Sequence, residues 1–382
     1  PNLREALEFA IGAESADVAS AEVLEFTIAL QPFWFACGHM VEGLHWVGRV
    51  LDHVGDEPSV TYVKALCHHC IANEVQGNLA EGATFVARAR SIADRLSDPV
   101  ADAWVDFAEG RHATLAGDLP RAHRLLERAQ EVFVAHDDVL SQVLVLLTIG
   151  TARLIERDAE GAIATYAEVL RITEPRGETV FRSQALSATA VAAWSERDRQ
   201  RALDAATQAL RVSRPRQDRF LASVCLEILA WIHAADGDNR RAATLMGAAQ
   251  AMAQLGEPIV TFGSLNSEQE SGEERARTMV GSAAFDGAYA EGRKLDYEAA
   301  VDLALGERSR PAPAAAASPT DLTRREREVA GLVAEGLTNK AIAARLTISR
   351  RTVDGHVEHV LAKLGFSSRA QIAVWVAQQA GA

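Results

Sequence analysis

Cys67-His68-His69-Cys70 invites a chemical reading, because thiolate and imidazole are both zinc ligands. A structural zinc site takes four such ligands, and no second pair follows. The segment therefore reads as helix interior, with its cysteines acting as small buried hydrophobes, and no metal is expected. A nucleophile with a general base and an anion cradle is found nowhere, and the carboxylates fall on solvent-facing helix phases. Gly-x-x-x-x-Gly-Lys-Ser/Thr does not occur either, so catalytic residues, cofactors and enzyme activity are not expected. The polar residues whose spacing carries a chemistry lie near the other end: Thr338, Asn339 and Lys340, then Ser349, Arg350, Arg351, Thr352, Val353, Asp354, Gly355, His356, Glu358, His359 and Lys363. Guanidinium, ammonium, imidazole and hydroxyl groups in this density suit phosphate oxygens and base edges, the chemistry of polynucleotide recognition.

Four helix signals would position them. Thr323-Arg324-Arg325-Glu326 is a capping box, opening a helix whose Val329, Leu332 and Val333 share one face, with Gly336 as its stop. Thr338 caps a second, short helix with Ile342 and Leu346 inward. Ser349 caps a third, where Val353, Val357, Val360, Leu361 and Leu364 form a buried stripe, and Gly365 closes it. Two helices joined by Thr347-Ile348-Ser349 make a helix-turn-helix, which lays its second helix in the major groove of duplex DNA. Arg350, Arg351, Asp354, Gly355 and Glu358 occupy the outward face of that helix, with Thr352, His356, His359 and Lys363 beside them. His356, Lys363 and Lys340 carry donors suited to phosphate. Ser368 opens a last helix with two apolar sides, which is more than one core contact requires. Ala370, Ala373, Val374 and Trp375 are therefore candidate residues of a symmetric dimer interface.

Charge sets this end apart. The 382-residue chain carries 39 Lys+Arg and 52 Asp+Glu, a net −13 that taken whole argues against polyanions. Residues 320–382 hold 9 basic and 6 acidic residues, net +3, which leaves net −16 for residues 1–319. Ser309-Arg310-Pro311-Ala312-Pro313 and Ser318-Pro319 lie at the change of sign, and Pro-rich composition makes a semi-rigid spacer. The expected organisation is a helical repeat array over 1–256, a helical cap over 257–305, a linker over 306–320 and a small domain over 321–382. With 71 Ala and 6% aromatic residues the fold class is all-α. Four Cys and the lack of an 18-residue apolar run exclude a disulfide framework and membrane spanning, and a cytoplasmic location is expected.

The long acidic part repeats. Asp118, Asp158, Asp198 and Asp238 recur every 40 residues, each followed four residues later by Ala122, Ala162, Ala202 or Ala242. Eight residues before each stands Gly110, Gly150, Ala190 or Ala230, and Pro175 and Pro215 recur at one phase. Each unit reads as helix, short turn, helix, with the Asp capping the second helix. Small residues on the first helix are expected to face the Ala on the second, so that the two approach closely. The pattern resembles the tetratricopeptide repeat with longer helices, and such an array offers a concave groove for a protein or small-ligand partner.

Leu322-Thr323-Arg324-Arg325-Glu326, Gly336-Leu337-Thr338-Asn339-Lys340-Ala341-Ile342-Ala343, Ile348-Ser349-Arg350-Arg351-Thr352-Val353 with His356, and Lys363-Leu364-Gly365 resemble the LuxR/GerE-type DNA-binding domain over nearly all of 321–380. The resemblance implies a four-helix domain that binds promoter DNA, usually as a homodimer. Asp354 and Glu358 depart from it, standing where Lys is common. They either read a cytosine amino group or orient Arg350 and Arg351 on guanine. Asn2 to Glu8, Phe33-Trp34-Phe35 with Gly38-His39 and Glu42-Gly43, and Phe285 to Leu305 resemble the helical region of large ATP-binding LuxR-family regulators. Lacking their phosphate loop, the chain is either a fragment or a relative that has lost the ATPase. The expected function is transcription regulation. The alternative is an interaction scaffold with a degenerate DNA-binding domain.

Overall fold

Alanine-rich segments bounded by aspartate and glycine become helices throughout, and no strand occurs among the described residues. The computed structural model describes residues 2–12, 20–36, 39–54, 58–255, 274, 277–279, 281–307, 322–334, 337–346, 348–364, 372 and 375–376. The chain divides into two units, Pro1–Arg308 and Ser309–Ala382.

In the long unit, α1 (Asn2–Ile11), α2 (Ser20–Ala29), α3 (Gln31–Ala36) and α4 (Met40–Val54) precede a run of helical hairpins. These pair α5 (Val60–Val75) with α6 (Leu79–Leu96), α7 (Pro99–Ala116) with α8 (Leu119–Ala135), and α9 (Val139–Ile155) with α10 (Ala159–Thr173). They continue with α11 (Val180–Ser195) and α12 (Arg199–Ser213), then α13 (Arg219–Ala235) and α14 (Asn239–Leu255). First helices of successive hairpins touch one another, the arrangement of a tetratricopeptide-like solenoid. α15 (Ser282–Gly292) and α16 (Tyr297–Leu305) pack Phe285, Tyr297 and Val301 onto the core of the last two hairpins.

The repeating aspartates cap as expected. The N–H groups of Arg121, Gly161, Arg201 and Arg241 donate to Asp118, Asp158, Asp198 and Asp238 at 3.0–3.3 Å. The residue before each Asp is left-handed, with φ +79° at Gly117, +64° at Arg157, +61° at Arg197 and +85° at Gly237. Pro175 and Pro215 lie in short 3₁₀ turns, Glu174–Arg176 and Arg214–Arg216, that end the second helices.

The small-to-small contact is corrected in its partner. A Cβ on Gly110 would stand 2.8 Å from Leu126 Cγ, and one on Gly150 would overlap the Tyr166 ring. Leu126 and Tyr166 lie one turn past the expected alanines, so a glycine on the first helix receives a large side chain of the second. At the same phases of the next hairpin Ala190 and Ala206 are both fully buried. Closer still, a Cβ on Gly247 or Gly292 would overlap the carbonyl oxygen of Tyr289 or Thr244, so α14 and α15 cross backbone to backbone.

The expectation that carboxylates face solvent fails at several positions. Glu74, with no exposed side-chain surface, pairs with Arg111 Nε at 3.2 Å and His112 Nδ1 at 2.8 Å. Asp106, also buried, pairs with Arg90 at 2.7 Å and Arg128 at 2.6 Å. Burial pushes its carboxyl up, and the Arg90 hydrogen bond opposes that rise. Cys67 and Cys70 are fully buried, and desolvation pushes their thiols up and lowers the imidazoles of His68 and His69 to about 4. Trp34, Trp46, Trp104 and Trp231 are buried and Trp194 partly so, as the solenoid reading required.

The short unit contains α17 (Arg324–Ala334), α18 (Asn339–Leu346) and α19 (Arg350–Leu364), with residues 372, 375 and 376 helical beyond them. Leu322, Val329, Val333, Ile342, Val353, Val360 and Ile372 form its core.

Candidate nucleic-acid interface

The site is built from hydroxyl caps. In the box that opens α17, Glu326 N–H donates to Thr323 Oγ1 at 3.2 Å and Thr323 N–H donates to Glu326 Oε2 at 2.7 Å. Thr338 Oγ1 accepts from Ala341 N–H at 3.3 Å and so starts α18. Ser349 Oγ accepts from Thr352 N–H at 3.1 Å and lies 2.8 Å from the Thr352 hydroxyl, starting α19. These hydroxyls satisfy amide hydrogens that a helix start leaves unpaired, and that of Ser349 fixes where the α18–α19 turn ends.

Of the inward stripe of α19, Val353 and Val360 are fully buried, Val357 nearly so and Leu361 partly, while the Leu364 side chain lies outside what is described. Val353 is thereby corrected from a DNA-contacting residue to a core residue, since its methyls pack among Val329, Val333 and Ile342. On the other side Thr352 is exposed, and Gly355 and His356 are half-buried. A Cβ on Gly355 would meet nothing within 4 Å, so the backbone is open to close approach there. For Lys340, Arg350, Arg351, Asp354, Glu358 and His359 only the helical backbone is described, and it places the last five along α19. Asn339 begins α18 and is half-buried.

Lys363, expected at the DNA, makes an ion pair within the unit. Its ammonium donates to Glu326 Oε2 at 2.6 Å, across from the end of α19 to the start of α17. The Glu326 side chain keeps 6% of its exposure. Burial acts to raise its pKa, but the hydrogen bonds from Lys363 and Thr323 prevail and hold the carboxyl at about 2. The residue overlooked in the sequence is Arg325, whose Nη2 donates to the carbonyl of Leu346, the last residue of α18, at 3.1 Å. Its place in the capping motif gave no sign of this reach.

Among the expected interface residues, Ala370, Ala373 and Val374 lie outside the described residues. Trp375 packs with Val376 against the core of the unit and is in part spent there.

Residues 320–376 match the family of bacterial regulatory proteins, luxR family. The short unit is a LuxR-family helix-turn-helix domain. A protein of Mycobacterium bovis (strain ATCC BAA-935 / AF2122/97) named as an HTH-type transcriptional regulator is 39% identical to this chain over 147 residues. Those residues are 38% of this chain and 16% of that protein, so the chain matches only a small part of its mycobacterial relatives' length. The nitrate/nitrite response regulator NarL of Escherichia coli (strain K12) is 42% identical over 96 residues, 23% of this chain and 44% of NarL. The crystal structure of apo RapI aligns with 94% of this chain and 98% of its own at 9% identity and a TM-score of 0.45, a likeness that says nothing about function. In the LuxR-family domain, then, α18 and α19 are the two helices of the motif and the Ile348-Ser349 segment leads from one to the other. No helix among the described residues is long and apolar enough to cross a membrane.

Proposed function

We propose that this chain regulates transcription by binding double-stranded promoter DNA through its LuxR-family domain. The observation that carries this reading is α19: capped by Ser349, seated on the core by Val353, Val357 and Val360, and open at Gly355. That leaves Arg350, Arg351, Asp354 and Glu358 on the phases that meet base edges, with Thr338, Asn339 and Lys340 at the start of α18 near the phosphates. The domain binds as a homodimer through Ala370, Ala373, Val374 and the remaining face of Trp375, in the cytoplasm. The helical array takes a protein or small-ligand partner in its groove. No part of this reading uses a cofactor, a metal or a catalytic step.

Titration of labelled duplex with the full chain over a salt series tests it. The expected affinity falls steeply with salt, each neutralised phosphate adding about 0.9 to the log–log slope. A chain that binds no duplex, or binds with no salt dependence, is an interaction scaffold instead.

A further inference from the structure

Arg325 and Glu326 are adjacent on α17, yet their side chains hold two different helices by their carboxyl ends. Arg325 Nη2 donates to the Leu346 carbonyl at 3.1 Å, satisfying a group that the end of α18 leaves unpaired. Arg325 is itself steadied by Glu328 at 2.7 Å. Glu326 receives the Lys363 ammonium at 2.6 Å from the last turn of α19, while the same Oε2 accepts the Thr323 N–H at 2.7 Å. The carboxylate is buried, and the ammonium that meets it is only 36% exposed. Both ties are charge-assisted, and the one to Glu326 is short and ends on a carboxylate largely removed from water, where such bonds are strongest.

We propose that Arg325 and Glu326 are the positioning pair of the motif: together they set the angle of α19 against α18, and Lys363 serves that pair rather than a DNA phosphate. The inference rests on the DNA-binding reading and adds to it the residues that aim the recognition helix. Rigid presentation matters because base-edge contacts tolerate little misplacement, whereas phosphate attraction acts at longer range. Loosening the pair lowers affinity by a factor common to all salt concentrations. Removing a phosphate contact changes the slope.

The test uses the full chain and a mixed-sequence duplex, with Lys363→Met, Glu326→Gln, the double variant and Lys363→Arg. Expected is a loss of about tenfold for Lys363→Met and for Glu326→Gln, with no further loss in the double variant, because the two act through one contact. The slope of log affinity against log salt stays at the parent value, and Lys363→Arg, which keeps the cation, recovers most of the affinity. A slope lowered by about 0.9 in Lys363→Met, with Glu326→Gln unchanged, overturns the proposal and restores Lys363 as a phosphate ligand. Amide hydrogen exchange separates this from failure of the DNA reading. In both single variants the first turn of α17 and the last turn of α19 exchange faster together, whether or not the parent binds duplex. Unchanged protection at both ends sinks the positioning pair, while a parent that ignores duplex sinks only the DNA reading.

Discussion

In the helical array Gly110 admits Leu126 and Gly150 admits Tyr166, whereas in the LuxR-family domain nothing approaches Gly355 and the helices are tied by Arg325, Glu326 and Lys363. The array can rely on fitted volumes because every hairpin has neighbours on both sides to bury against. The small domain has few apolar residues to bury and a helix face reserved for another purpose, so ionic ties at the helix ends supply part of its definition. Gly110 and Gly150 therefore mark close packing within helices of the array, whereas Gly355 marks open backbone. A buried carboxylate means much the same in both: Glu74 has Arg111 and His112, and Glu326 has Lys363.

The largest contrast should come from adding one methyl group. Gly292→Ala meets the backbone carbonyl of Thr244, which cannot rotate away, and should cost about 3 kcal/mol as α15 is forced off α14. Gly355→Ala meets nothing and gains helix propensity, so the LuxR-family domain should be unchanged or firmer by about 0.5–1 kcal/mol. Thermal unfolding of both variants compares them, and equal losses would erase the distinction between the two kinds of glycine.

Next in size is Glu74→Ala, which strands Arg111 and the buried end of His112 and should destabilise the array by about 2–3 kcal/mol in chemical unfolding. A loss below about 0.5 kcal/mol would make the interior pair a bystander.

Acidity sharpens the comparison through two signs. Burial raises the Glu227 carboxyl on α13 to about 7. Between its unfolded value of about 4.3 and pH 7 the folded array holds a proton that the unfolded chain has released, so array stability falls as pH rises through that window. Glu326, held at about 2, contributes stability above about pH 4.3 that is lost as pH falls toward 2. Melting curves across pH should show Glu227→Gln flattening the near-neutral decline and Glu326→Gln flattening the acid one. Indifference of both declines to these variants would assign them to other groups.

The smallest effects concern the hairpin turns. Asp158→Ala removes the bond to Gly161 N–H and should cost about 1 kcal/mol. Arg157→Gly and Arg197→Gly relieve a left-handed φ that Gly117 and Gly237 adopt freely, and each should raise stability by up to about 1 kcal/mol. Lower melting temperatures in both glycine variants would show that those arginines hold the turns by some contact of their side chains.

What could be read in the residues alone is what depends on near neighbours in the chain. The 40-residue phase of Asp118, Asp158, Asp198 and Asp238 announces hairpins because a cap and the amide it satisfies are three residues apart. Thr323 with Glu326, Ser349 with Thr352, and the valine stripe of α19 were legible for the same reason, and they sufficed for the fold class and the helix-turn-helix. What faces a residue from a distant element was decided only by the tertiary structure. Gly150 foretells a close approach without naming Tyr166, a ring that arrives from the next helix one turn beyond the expected alanine. Glu74 and Asp106 look like solvent-facing carboxylates until Arg111, His112, Arg90 and Arg128 close over them. Lys363 carries the same ammonium whether it meets a phosphate or Glu326, 37 residues away. Helix periodicity states which side of its own axis a side chain occupies. The free energy of a charge depends on what stands opposite it, and only the packing of one helix on another supplies that.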